Sequence, residues 1–332
     1  MKTKERLTLR SVCFALLLTA VALRLAMMLG GRDGQAVALF LGLGLLPDEA
    51  DPAAASSEAL DAPTVSPTFP PLEYRTPSKL LRFSAEDAAL VDITNHSGAD
   101  IDPAALITQP ISFDLTADGP LVLIVHTHAT EAYTCADGDD YTTDEPYHTN
   151  DTRFNVVRVG QALTDRLNAL GIETIHDETL YDAAGYYDAY ERTADGIAAY
   201  LSDHPSIQMV IDVHRDAIAD ENGGELAVTT TLDGQDAARL LLVMGTDTAG
   251  LTHPNWRENL SFAIQLQALC ERDAPGCFRQ MSLRSERYNE HLTAHSILLE
   301  VGAAGNTLQQ ALRSIDYFAA ELATLLQAAG GQ

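Results

Sequence analysis

The stretch "LVLIVHTHATEAY", residues 121–133, sets the reading of the whole chain. Branched apolar residues run without alternation to Val125, as in a strand buried on both faces. His126 and His128 follow at once, and Glu131 lies three residues further on. A polar loop capping a sheet is one account of this cluster. A metal or catalytic site at the carboxyl end of a strand is the other.

Outward from this stretch, strand and helix patterns alternate. "RFNVVRVGQALTDRLNALG" (153–171) places Val156, Val159, Leu163, Leu167 and Leu170 at helical spacing, with Gly171 as the C-cap. "IETIHD" reads as a short strand and "YERTADGIAAYLSDHP" as a helix stopped by Pro205. "IQMVIDVHRDA" is a second buried strand with His214 at its exit. "ELAVTTTL" and "ARLLLVMGT" read as strands and as neighbours. "NWRENLSFAIQLQALCERD" is a helix, "HSILLEVGA" a strand carrying Glu300, and "TLQQALRSIDYFAAELATLLQAA" a closing amphipathic helix. This order predicts an α/β domain with a mainly parallel central sheet flanked by helices. Such sheets bind ligands beyond the carboxyl ends of their strands. Three strand exits carry His126, His214 and Glu300, and one carboxylate more would complete a zinc site with a separate proton acceptor.

The chain has 332 residues, 46% hydrophobic, with 47 acidic against 21 basic residues and a net charge of −26. That balance argues against nucleic-acid binding, which needs clustered Lys and Arg. Residues 1–47 differ from the rest. Lys2, Lys4, Arg6 and Arg10 precede "SVCFALLLTAVALRLAMMLGG", and a second apolar run follows Arg32. This is the pattern of a signal peptide or signal anchor. With no small-x-small site directly after the apolar core the uncleaved anchor is expected, with a cytoplasmic tail and the remainder exported, although "AAASS" at 53–57 leaves late processing open. Arg24 interrupts the first run and would cost roughly 2.5–3.5 kcal/mol at a bilayer centre, less where it snorkels. Residues 48–80, rich in Pro, Ala, Ser and acids, read as a linker, and 81–332 as the catalytic domain with a lead-in over 81–118. The expected location is therefore the cell membrane, single-pass, with the domain extracytoplasmic. Cys270 and Cys277 flank "ERDAPG", and a local disulfide and a free thiol pair are both open.

Taken together in this order, "LIVHTHATEAY", "NVVRVGQAL", "VIDVHRDA", "VMGT", "ENLSFAIQL", "RYNEHL" and "LLEVGAAGNTLQQA" resemble the stage II sporulation protein P family, from about residue 89 to the end. The resemblance implies a membrane-anchored cell-wall hydrolase with an amidase-like fold, related to zinc N-acetylmuramoyl-L-alanine amidases. It implies cleavage of the muramic acid–L-alanine amide of peptidoglycan during sporulation engulfment, and possible endopeptidase activity. It also implies a lytic transglycosylase partner, stage II sporulation protein D, and a membrane partner. Carried onto this chain, it makes His126 and His214 zinc ligands and Glu300 the general base. The remaining ligand stays open among Glu131, His128 and Asp151. Arg215 and Asp216 are candidates to orient His214, and Arg287 and Asn289 to bind stem-peptide carboxylates.

Three other readings compete. An exported scaffold of the same fold without catalysis is separated from the enzyme by its metal content. A kinase reading of "HRD" fails because Asn222 lies six residues after Asp216, where a catalytic loop needs five. A serine hydrolase lacks any G-x-S-x-G elbow.

Overall fold

A computed structural model describes residues 81–136 and 147–330. The expected anchor, residues 1–47, and linker, 48–80, lie outside the described residues. No helix among the described residues is long and apolar enough to cross a membrane.

The apolar run of the opening stretch forms β2 (Val122–Val125), buried at every position. Its neighbours are β3 (Thr174–His176) and β4 (Met209–Asp216), both parallel to it. β4 pairs in parallel with β9 (Ile297–Ala303), so the middle of the sheet is built from the three runs that read as unalternated apolar strands. Beyond β9 lie β7 (Leu240–Met244), β8 (Met281–Leu283) and β1 (Ile93–Asn95), giving the order β1-β8-β7-β9-β4-β2-β3. Every neighbouring pair is parallel except β7 with β9. A parallel return needs a long crossover, whereas an antiparallel one does not. Between β4 and β7 the chain makes only a small hairpin, β5 (Thr229–Leu232) against β6 (Gln235–Ala238). β7 therefore enters the sheet reversed. The two strands expected as neighbours meet only at their ends: Ala238 pairs with Thr229, and "ARLLLVMGT" then splits at Arg239, its β7 part entering the larger sheet.

Period-two alternation divides the side chains between two layers. Val122, Ile124, Ile211, Val213, Leu242, Leu299 and Val301 enter the larger core. They pack there against α2 (Val156–Ala169), α4 (Trp256–Asp273) and α5 (Leu308–Gly330). Leu123, Val125 and Val210 point the other way, under Ile197 of α3 (Ala189–Asp203). α2 starts where Asn155 caps the Val157 N–H and ends at Gly171, whose φ of +80° an L side chain rarely adopts. The lead-in is part of this fold rather than a preface to it. It supplies β1, the short α1 (Pro103–Leu106), and a 3-10 turn (Ala85–Leu90) whose Asp87 pairs with Arg272 of α4 at 2.9 Å. The Arg272 guanidinium also lies over the Phe83 ring, 5.3 Å from its centroid. Cys270 and Cys277 are buried free thiols whose pKa values burial pushes up.

Gly160 lies on the face of α2 that meets the sheet. A methyl group there would clash with His126 Nε2 and stand 2.8 Å from His176 Nε2. The His126 ring is tethered to the Val213 carbonyl and cannot swing away freely. Gly160→Ala is expected to destabilise the fold by about 1–3 kcal/mol through overpacking. An unchanged midpoint in urea unfolding would show that the two rings yield.

Candidate metal centre

The parallel register of β4 and β9 sets His214 directly beside Glu300. Alternation along β4 puts Asp212 on the same face, two residues earlier. The chain leaving β2 completes the group. Ile124 faces the large core and Val125 faces α3, so His126 turns back toward α2. The turn after β2 breaks this alternation and brings His128 and Glu131 round to the α3 side, beside His214. One ligand atom each from His128, Glu131 and His214 lies within 4.8 Å of the others. All three residues are buried.

Glu131 is the hub of the cluster. His128 Nδ1 lies 3.7 Å from one of its oxygens and His214 Nδ1 3.4 Å from the other. The Arg215 N–H donates to Glu131 Oε2 at 3.1 Å, while its guanidinium donates to the carbonyls of Ala132 and Tyr147. Asp212 supports the group from beneath. It accepts from Thr127 N–H and hydroxyl at 2.8 and 2.6 Å and lies 2.9 Å from His214 Nε2, off the line of a hydrogen bond. At that distance the carboxylate attracts a charged imidazole. Tyr186 stacks on His128 with centroids 4.0 Å apart, and Tyr190 meets its edge at 5.4 Å. Asp182 ties this tyrosine loop to the histidine loop by accepting from Thr130 N–H and hydroxyl.

Charge follows from this geometry. Burial opposes a charge on His214, but the Asp212 and Glu131 carboxylates outweigh it and raise its pKa well above the usual imidazole range. Burial likewise opposes the Glu131 and Asp212 anions, yet His214, with Arg215 or Thr127, holds both pKa values below the ordinary range. His128 moves down, through burial and the nearby His214. Burial lifts Glu300 to about 8, helped by Glu131 and opposed by His214. His128 Nε2 and Glu300 Oε2 are buried without hydrogen-bond partners, and His214 Nε2 faces only the Asp212 carboxylate. Two imidazoles and a carboxylate around orphaned buried atoms fit a divalent cation of the zinc type, with Glu300 free as a fourth, non-ligating acid. Proton and cation would compete for His214, so affinity falls as pH drops.

The expected residues separate as follows. His128, Glu131, His214 and Glu300 come together. His126 does not. Its Nδ1 donates to Val213 O at 2.8 Å, which leaves Nε2 to accept from His176 Nε2 at 2.8 Å. Burial holds the pKa of His126 to about 3 and of His176 to about 4, so this pair is neutral at pH 7. Arg215 meets Glu131 through its backbone N–H. Asp216 pairs with Arg279, and Asp151 with Arg153. Arg287 donates to Thr252 O, and the buried Asn289 to Tyr190 O. Asp212 and Asp182 were missed. The first was readable, because "DVH" puts an acid two residues before His214 on one strand face; nothing local marks the second.

The centre opens into a cleft of about 1580 Å³, which Glu131, His214, Glu300 and Asp151 all line. Comparison with known proteins finds the stage II sporulation protein P (SpoIIP) family model matching residues 73–323. Stage II sporulation protein P of Bacillus subtilis (strain 168) is 27% identical over 259 residues, 74% of this chain. The chain spans 59% of that relative's length. Among solved structures, the N-acetylmuramoyl-L-alanine amidase AmiC2 of Nostoc punctiforme aligns at 9% identity and TM-score 0.35, over 64% of this chain and 97% of that one. The amidase Ami1 of Mycobacterium smegmatis aligns at 13% and 0.38, over 63% and 97%. The CwlD amidase of Clostridioides difficile, solved with the GerS lipoprotein, aligns at 14% and 0.37, over 63% and 96%.

The raised pKa of Glu300 has a defined sign. Between about 4.5 and 8 the folded chain keeps a proton that the unfolded chain has released, so stability falls as pH rises through this window. In chelator, Glu300→Gln is expected to flatten that decline. Equal slopes for both proteins in urea unfolding from pH 5 to 8 would place the carboxyl in a wetter setting.

Proposed function

The chain belongs to the stage II sporulation protein P family, and on that premise we propose that it is a zinc-dependent peptidoglycan hydrolase acting on the muramic acid–L-alanine amide. The observation that carries the reading is the His128, Glu131, His214 triad with an unpartnered Glu300 beside it. His128, Glu131 and His214 would hold the cation. When bound, a divalent cation supplies Lewis-acid polarisation of a carbonyl and an activated water.

The rest of the chemistry belongs to the chain's own side chains. Glu300 takes the proton of the attacking water as the new C–O bond forms at the amide carbon. It returns that proton to the nitrogen as the C–N bond breaks, so the carboxylate base is regenerated. A cation nearby favours the carboxylate and brings Glu300 into its base form at neutral pH. Glu131 is held in its ionised form by His214 and Arg215, and the Asp212 carboxylate, held by Thr127, lies against the His214 ring. Tyr186 and Tyr190 pack on His128 and shield it from water.

In the same reading residues 1–47 tether the domain to the membrane on the wall side. A lytic transglycosylase like stage II sporulation protein D would open the glycan strands that the hydrolase strips of peptide. The basic flank and apolar run support the tether, and family membership supports the partner.

Elemental analysis of the full chain is expected to find about one zinc per chain. His128→Ala and His214→Ala lose it, and His126→Ala keeps it. Glu300→Gln is expected to retain zinc and lose about 10³-fold or more of the amide cleavage seen by release of stem peptide. A Glu300→Gln protein of full activity would remove Glu300 as the base. A chain that takes up no zinc would favour a binding scaffold.

A further inference from the structure

The cleft does not stop at the metal centre. On β9, β7, β8 and β1 the alternation that sends Leu299, Leu242, Met281 and Leu283 into the core turns Leu298, Leu241, Val243, Ser282 and Thr94 to the other side. Those residues floor the second half of the cleft. The chain carries 47 acidic against 21 basic residues, yet this half is lined by Arg239, Arg279 and Arg284. Two carboxylates border it, Asp216, engaged by Arg279, and Glu300 at the metal end. Arg239 is committed to the carbonyls of Gly276 and Phe278. Arg284 is paired with no carboxylate among the described residues and lies beside the Tyr288 hydroxyl. Its backbone is fixed, with its N–H on Met244 O at 2.8 Å and its carbonyl accepting from Thr246.

We propose that Arg279 and Arg284 form a carboxylate-binding subsite that receives the acidic peptide stem leaving the metal centre. The proposal rests on the peptidoglycan reading above and names the part of the substrate that the open half of the cleft holds. β8 lies two strands from β9, a lateral distance of about 10 Å at about 4.8 Å per strand. Three extended residues span that distance at about 3.3–3.6 Å each. With the first residue of a stem at Glu300, carboxylates on the second and third reach the two guanidinium groups. A planar guanidinium holds a carboxylate through two parallel N–H donors, which an ammonium does not. The role expected from sequence for Arg287 thus falls to arginines three and eight positions upstream, because Arg287 is turned to Thr252. Asp216 keeps Arg279 oriented until the anion arrives.

The test uses two probes, a synthetic stem tripeptide, L-Ala-γ-D-Glu-diaminopimelate, and the same peptide with its carboxylates amidated. Calorimetry on the full chain is expected to show the acid binding at least tenfold tighter than the amide. Arg284→Gln and Arg279→Gln should each lose about tenfold for the acid and nothing for the amide, and Arg284→Lys should recover only part. Zinc content and melting temperature, measured alongside, report any general damage, and Arg284→Gln breaks no ion pair among the described residues. Equal affinity of wild type for both peptides, or equal losses on both in the variants, overturns the subsite. Amide cleavage by wild type is scored separately. Discrimination without cleavage keeps the subsite and sinks the hydrolase reading; cleavage without discrimination does the reverse.

Discussion

The register of β4 against β9 is the constraint on which the rest of the centre depends. Because the two strands run parallel with His214 opposite Glu300, a ligand and an acid stand side by side without any loop having to place them. A slip of one residue would turn both to the large core and put Val213 or Leu299 in the cleft. The apolar residues on either side, Val213 and Val301 among them, are fully buried and make such a slip costly. Packing of the core and precision of the chemistry are therefore one problem here, solved by one set of hydrogen bonds.

Glu131 plays the matching role on the loop side. A buried carboxylate is costly unless it is compensated, and this one is met by two imidazoles and a backbone N–H. The same buried charge that draws a proton onto His214 would draw a cation to the pair of rings. Removing Glu131 would leave His214 and Arg215 without their partner. The loop from 126 to 133 and the start of β4's exit are in this sense a single electrostatic unit.

Much of this was legible in the chain. β2, β4 and β9 are unalternated apolar runs because both faces are covered, and α2 and α5 show clean helical spacing. The strands that were missed, β1, β6 and β8, have three or four residues each, too few to display a period. His214 and Glu300 stood out because each lies on a strand that could be read. The choice between His126 and His128 was not readable, since it turns on the residue at which β2 stops: one face belongs to α2 and the other to the cleft. Arg279 and Arg284 lie around β8, so they could not be aimed before that strand was known. The lead-in could not be assigned a structure because its strand is completed only by a partner almost 190 positions away.

The lead-in also gives the molecule a mechanical property. Any tension on the chain before residue 81 enters the sheet through β1, its shortest kind of strand, paired over only Ile93, Thr94 and Asn95. The ion pair of Asp87 with Arg272, and the Arg272 guanidinium over Phe83, act as a brace ahead of that strand and pass load to α4. Thr94, in the middle of that pairing, is also floor to the cleft. Pull and grip meet in the same strand, so a domain hauled from its amino-terminal side would feel the force in the pocket itself.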